Sequence, residues 1–476
     1  MQTTDIDLNN ASWTPIGSSD STAFRANYNG GDFCIVNLYP EPTTYVGLFG
    51  IATNAYLTNI DITYSVTKPL DSGTLAGGLL GYGEDTLKIS NCVVRDFSAT
   101  SGSYVGGLVG RFYSSSNDHI FSITNSQVIN FSANASDTDT RGEVVGGLVG
   151  SADGPCGKTS GISNCIINNI SIVVSKSTFS SLQPVIGGAV GHIYGIPADN
   201  ILVTGTIECP GGFVLVGGAF GSCGYQEYSQ IISYVNISIA DNFIGEIGGI
   251  IGDDLNVATA SFRGVSLTHC QYLGTISGST SKASNYELYL GGIVGYADTV
   301  VNLNGCSFDG DININLTSQY STVPVFGGLV GYIGQASSVS ISCCTVNGSI
   351  TMSRTTYSSS GYVGAVYGNT SPGETVDINK VIINTTINAS YITMYDIISF
   401  TGTAATVTES YYNSTLFTSS SSTCTALTSD QMRESSSFVG MTDFDDYFMF
   451  IDNRNNGFPI VKGLVNHAKV TGFDGS

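Results

Sequence analysis

Short apolar blocks bounded by glycine recur along most of the chain, and polar and apolar positions alternate between them. The clearest copy is Tyr104-Val-Gly-Gly-Leu-Val-Gly110. Aligned on the glycine before the small or aliphatic residue, ten copies appear, with glycines at 47, 78, 107, 147, 188, 218, 249, 292, 328 and 364. Their separations run from 29 to 43 residues. Self-similarity at such a period signals stacked supersecondary units. The blocks are short and rich in Val, Ile and Leu, which predicts strands rather than helices. Within one block Val105, Gly107 and Val109 alternate with Gly106, Leu108 and Gly110, so a strand covered on both faces is expected. The paired glycines predict a kink or a close backbone approach.

A second column of positions lies between the glycine blocks. It contains Ile89-Ser-Asn-Cys92, Ile123-Thr-Asn-Ser126, Ile162-Ser-Asn-Cys165, Leu267-Thr-His-Cys270, Leu303-Asn-Gly-Cys306 and Ile341-Ser-Cys-Cys344. Four residues further on stand Asp96, Asn130, Asn169, Gly274, Gly310 and Gly348. Gly, Asn and Asp tolerate left-handed backbone angles, so a recurring corner of that kind is predicted there. One corner type with a strand on each side describes a β-coil turning in place. The prediction is an all-β, right-handed parallel β-helix (β-solenoid) of about ten coils with N- and C-terminal caps. Residues 1–45 are read as opening strands and a cap, near Ile6-Asp-Leu8 and Phe33–Leu38. Residues 46–426 are the repeats, with Thr401-Gly-Thr403 as a last rung. Residues 427–462 form a closing cap with a short helix at Ser429–Glu434, and 463–476 a loose tail. Ser/Thr/Asn-rich insertions such as Ser114–Asn117, Asp137–Thr140 and Ser358–Gly361 are read as loops on the flanks.

The glycine block resembles the GLUG motif of bacterial and protist surface proteins. Ile6-Asp-Leu8 followed by Trp13-Thr-Pro-Ile-Gly17 is similar to the opening of such domains. Leu427-Thr-Ser-Asp-Gln-Met432, Ser437-Phe438 and Asn455-Asn-Gly-Phe-Pro459 are similar to their closing segment. Two departures stand out: Asn27-Tyr-Asn-Gly-Gly31 replaces a Phe-Asp-Gly-Asn-Gly type turn, and Phe448-Met-Phe450 stands where a Trp is usual. The resemblance covers the chain from about Asp5 to Val461. It implies a secreted or cell-surface protein whose repeats act as adhesive or spacing elements.

Composition narrows the partners. Lys+Arg 16 against Asp+Glu 37 gives a net charge of −21. Nucleic acid and anionic membrane surfaces are disfavoured, since both need clustered basic residues. No segment reads as a membrane span. Met1-Gln-Thr-Thr-Asp-Ile-Asp7 lacks a signal-peptide pattern, which is consistent with a piece of a longer polypeptide. The eleven cysteines are an odd count with no Cys-x-x-Cys. Stacked core thiols are the leading reading. Pairs Cys156–Cys165 or Cys209–Cys223 are the alternative in an oxidising compartment.

Candidate chemistry is sparse. Asp253-Asp254 is the best local carboxylate pair for a carbohydrate-active β-helix enzyme. Asp309 and Asp311, and Asp443, Asp445 and Asp446, read more simply as turn or cap clusters. His119, His192, His269 and His467 are scattered, and His269-Cys270 point to opposite faces of a strand. No catalytic residue, metal site or cofactor is assigned. The expectation is a non-catalytic adhesion or interaction module that displays flank loops to a host or neighbouring-cell glycan or protein. The alternatives are the enzyme with a cleft at Asp253 and Asp254, and a purely structural spacer.

Overall fold

A computed structural model describes residues 1–41, 43–65, 75–100, 102–135, 143–174, 183–224, 226–240, 242–254, 264–281, 288–317, 323–334, 338–354, 361–389, 405–417, 423–451 and 454–464. The protein is all-β, with 60% of residues in strands, and it is a parallel β-helix. Two compact units are formed. One comprises Met1–Gln226 with Ser233–Phe243, the other Glu227–Ile232 with Ile244–Ser476.

In the first unit a full coil runs through five strands: Tyr104–Gly106, Val109–Tyr113, Phe121–Thr124, Gln127–Ile129 and Ser132–Ala135. Each pairs in parallel with the same position of the next coil. Val105 lies beside Val145, Val109 beside Val149, Ile123 beside Ile162, Val128 beside Ile167 and Ala133 beside Ile172. Inward side chains therefore stack on their own kind, as in the aromatic file Tyr64, Phe97 and Phe131, with ring centroids 4.8 and 6.1 Å apart. The second unit repeats the plan. Leu290 lies beside Phe326, Val294 beside Val330, Leu303 beside Ile341 and Ile312 beside Ile350.

The glycine block is two strands, not one. Gly107 and Leu108 form a corner between Tyr104–Gly106 and Val109–Tyr113, which belong to different sheets. Val105, Leu108 and Val109 are consequently all buried, which no single pleated strand with one covered face would do. The reason is close approach. A Cβ on Gly107 would lie 2.1 Å from the carbonyl oxygen of Gly147 and 2.5 Å from Val128 Cγ1, so only glycine lets adjacent coils stack there.

The shared left-handed corner lies within the second column, one residue before Cys92 and its equivalents, rather than four residues after them as the residue types predicted. Asn91, Asn125 and Asn164 have φ of 52, 51 and 53°, and His269, Gly305 and Cys343 have 52, 63 and 54°. The column four residues on is mixed. Asp96, Asn130 and Asn169 are left-handed, at 58, 57 and 61°. Gly274, Gly310 and Gly348 are not among the positive-φ glycines. Gly310 and Gly348 serve close packing instead: Cβ atoms there would lie 2.2 Å from Gly274 O and 1.9 Å from Gly310 O.

The N-terminal segment supplies its own partial coil. Ile6–Asp7 pairs with Cys34–Pro40, and Asn27–Asn29 with the strand beginning at Phe49. In the second unit the C-terminal segment folds around an apolar cluster of Met432, Phe438, Met441, Phe444, Phe448 and Phe458 that packs on Cys343, Ile382 and Tyr411. Phe450 packs against Phe444 at 5.6 Å, so the aromatic pair Phe448 and Phe450 does supply apolar bulk there. The short helix read at Ser429–Glu434 is a 3-10 turn at Gln431–Arg433, and an unforeseen α-turn covers Phe444–Tyr447. The rung read at Thr401–Thr403 and the insertion Asp137–Thr140 lie outside the described residues, as do 358–360 of the insertion at Ser358–Gly361.

Candidate binding surface

Two outward files flank the glycine corner. One comes from the strand before it and one from the strand after it. In the second unit they hold Glu246, Tyr289 and Val325 on one side and Asp253, Tyr296 and Tyr332 on the other. The sequence-predicted carboxylate pair therefore splits. Asp253 stands in the outward file with Tyr296, while Asp254 stands in the inward file with Ala297 and Ile333. Neighbouring residues of a strand point to opposite faces, so the pair cannot straddle one substrate bond.

Asp254 is fully buried and already occupied. It accepts hydrogen bonds from the backbone N–H of Asp298, from the backbone N–H of Thr299 at 3.2 Å and from Thr299 Oγ1 at 2.6 Å. These bonds tie the next coil's turn to the strand end. Burial, partly offset by those donors, still pushes its carboxyl up to about 7. Asp253 is 7% exposed, and no hydrogen-bond partner reaches its Oδ1 among the described residues. Burial first, then the Glu246, Asp254 and Asp298 carboxylates, raise its carboxyl well above the usual range. A carboxyl so placed is biased towards its protonated form. Above it Tyr289, Tyr296 and Tyr332 stack on one another, at centroid distances of 5.4, 4.5 and 5.8 Å. Their ring faces are spent on each other.

The same files in the first unit are differently filled. Tyr82, Arg111, Ser151, His192 and Ser222 succeed one another along the outward file after the corner. Arg111 lies over the ring of Tyr104, across the corner, at 4.6 Å and near that of Tyr113 at 5.9 Å. His192 Nδ1 is 2.8 Å from Ser222 Oγ. Burial lowers the imidazole's pKa, offset in part by Asp153, so the ring is neutral. Ser222 is fully buried, and the pair reads as a satisfied packing contact rather than an exposed nucleophile. Nothing in the sequence announced this pair, because its members sit thirty residues apart and meet only through coil register.

The remaining candidates are structural. Asp309 accepts from Ser307 Oγ and Asn347 Nδ2, each at 2.7 Å. Asp311 accepts from Ser349 Oγ. Asp443 is paired with Lys380 at 2.7 Å, and the backbone carbonyl of Asp445 accepts from Lys462. His269 occupies the left-handed corner with Cys270 buried beside it. Among the described residues no group of three or more His, Cys, Asp or Glu is placed to hold a metal ion. No disulfide joins any of the eleven cysteines. Cys92 and Cys165 are core thiols that burial pushes up to about 12. Cys270, Cys306 and Cys344 are fully buried in successive coils, with the Cys306 N–H donating to Cys344 Sγ at 3.3 Å. No helix among the described residues is long and apolar enough to cross a membrane.

Comparison with family models, with curated proteins and with solved structures returned no match to this chain.

Proposed function

We propose that the chain is a non-catalytic interaction module of a secreted or cell-surface protein, whose stacked coils present a recognition surface to a glycan or protein of another cell. One observation carries the reading. Length varies at two connections of the coil, one before the glycine strand and one after the glycine corner, while the glycine and left-handed corners stay constant. In the first unit the connection before the glycine strand spans 210–211 after Cys209, 136–143 after Ala135 and 175–184 after Val174. In the second it spans 281–287, 317–324 and 355–361. The connection after the glycine corner varies as well, from two residues between Gly224 and Glu227 to ten between Asp254 and Val265. Variable loops on a constant scaffold are where binding diversity is tolerated. The GLUG-like repeats support the same placement. Of the carboxylate pair Asp253-Asp254, one member is bound up in holding the next turn.

The test is a glycan and protein array probed with the whole chain, alongside a variant whose 175–184 and 355–361 connections are cut to two residues. Saturable binding lost in the shortened chain, with the ligand recovered intact, is the expected result. Cleavage of a glycan that Asp253→Asn abolishes would replace the module with an enzyme. Binding that survives both shortenings would remove the role of the connection before the glycine strand.

A further inference from the structure

The outward strip of the first unit sets Tyr113 between two carboxylates, with Arg111 two residues before it on the same strand. Strand register sets two parallel files after the glycine corner. Tyr82 and Arg111 are neighbours in one, and Glu84, Tyr113 and Asp153 are neighbours in the other. Parallel strands bring such neighbours to about 4.8 Å spacing. The Arg111 guanidinium lies over the Tyr104 ring, 4.6 Å from its centroid. Its Nε is buried, and no hydrogen bond or ion pair engages its terminal nitrogens among the described residues, so those nitrogens are the donors a ligand can meet. None of Glu84, Arg111 and Asp153 takes part in an ion pair among those residues. Glu84 is exposed, Asp153 is half-buried, and the Tyr113 ring is 38% exposed.

We infer that this strip binds a neutral oligosaccharide, with Tyr113 as the ring platform, Arg111 as the donor fork and Glu84 and Asp153 as acceptors. The inference rests on the reading of the chain as an interaction module and names the ligand of one surface on it. The chemistry selects the class. A guanidinium already fixed on an aromatic ring presents its N–H fork without further ordering, and the fork suits two adjacent oxygens. Hydroxyl groups donate as well as accept, so one sugar can satisfy the arginine and the carboxylates together. The apolar face of a pyranose packs on an exposed phenol ring. An anionic ligand would meet two carboxylates for one guanidinium, on a chain of net charge −21. The same position in the second unit offers no counterpart, because Tyr289, Tyr296 and Tyr332 cover one another.

The experiment is calorimetric titration of the whole chain with a panel of neutral gluco-, manno- and galacto-oligosaccharides and their uronic-acid counterparts. A neutral member is expected to bind, at least tenfold more weakly to Tyr113→Ala and to Arg111→Met, severalfold more weakly to Glu84→Gln, and equally to Asp253→Asn. Tyr113 and Glu84 are surface positions, so unchanged circular dichroism and Tm separate lost contacts from lost fold. Glycan binding indifferent to all three changes would overturn this site and leave the interaction module standing. Binding of the uronic-acid series alone would overturn the neutral class. No binding across the panel would overturn the inference, whatever protein ligand the array returns.

Discussion

The two units build the same left-handed corner and cover it in opposite ways. In the first unit it is Asn59, Asn91, Asn125, Asn164 and Asn200, each with φ between 51 and 53°. Their amides pass hydrogen bonds from coil to coil, with Asn91 Nδ2 on Asn59 Oδ1 at 3.1 Å and Asn200 Nδ2 on Asn164 Oδ1 at 2.8 Å. In the second unit the column reads Gln230, His269, Gly305, Cys343, Lys380 and Glu409, all at positive φ. There the chain's own C-terminal segment lies against it. A Cβ on Gly463 would fall 2.1 Å from His269 Cδ2, and one on Gly305 would meet Val461 Cγ1 at 3.4 Å. Lys380 pairs with Asp443 and lies under the Tyr447 ring at 5.0 Å. The coil dictates the backbone angle, and what lies outside dictates the side chain. Exposed to water, the corner is an amide ladder. Covered by chain, it gives up the asparagines for residues as different as Gly305, Cys343 and the ion-paired Lys380. The closing segment therefore runs back along the coils as a strap as well as finishing the stack.

Removing the strap's anchor is the largest test of this contrast. Phe444→Ala takes a buried ring from the C-terminal cluster and should cost about 3–5 kcal/mol of that segment's stability. Cys343, 6% exposed beneath it, should then be alkylated at least tenfold faster in native buffer, while Cys92 of the first unit stays silent. Equal gains at both thiols, read by peptide mass, would mean that the strap does not protect one corner locally.

The buried carboxylates give the second test. Folding raises the pKa of both Asp253 and Asp254 above their ordinary 3.8, Asp254 to about 7. The protonated forms favour the fold, so both contributions are complete below about pH 4, and that of Asp254 is lost as pH rises through about 7. Urea midpoints should fall from pH 4.5 to pH 8 by the equivalent of about 3 kcal/mol from Asp254 alone, with Asp253 adding to it. Asp253→Asn should flatten part of that slope. An unchanged slope would show that Asp253 ionises freely.

The smallest effect probes the amide ladder. Asn91→Ala should cost about 1–2 kcal/mol, because alanine resists the left-handed region. Asn91→Gly keeps the angle and loses only the amide bonds, so roughly 0.5 kcal/mol is expected. Equal losses in denaturant titrations would mean that the backbone angle does not set the residue there.

The chain's repeats made its architecture legible. Ten glycine blocks and the Asn or Cys column between them announced stacked coils, because the corner geometry recurs in each coil and demands the same residues each time. The mechanism at the glycines was not legible. A seven-residue apolar run looks like one strand until Gly107 is seen facing Gly147 across the next coil. Nor was the site. Asp253-Asp254 looks like a pair in the sequence, yet alternation of side chains sends one outward and the other into the core. Arg111 drew no notice, because its environment of Tyr104, Tyr113, Glu84 and Asp153 comes from three coils brought into register.

The sequence by itself determined the class of fold and the glycine corners, since these are local demands that each coil must meet with its own residues. The tertiary structure alone decided which corners face water, which acids are sealed and which aromatic rings remain open. Those properties depend on insertions of unequal length and on a C-terminal segment that returns to earlier coils. No periodicity along the chain records where such a segment comes to rest.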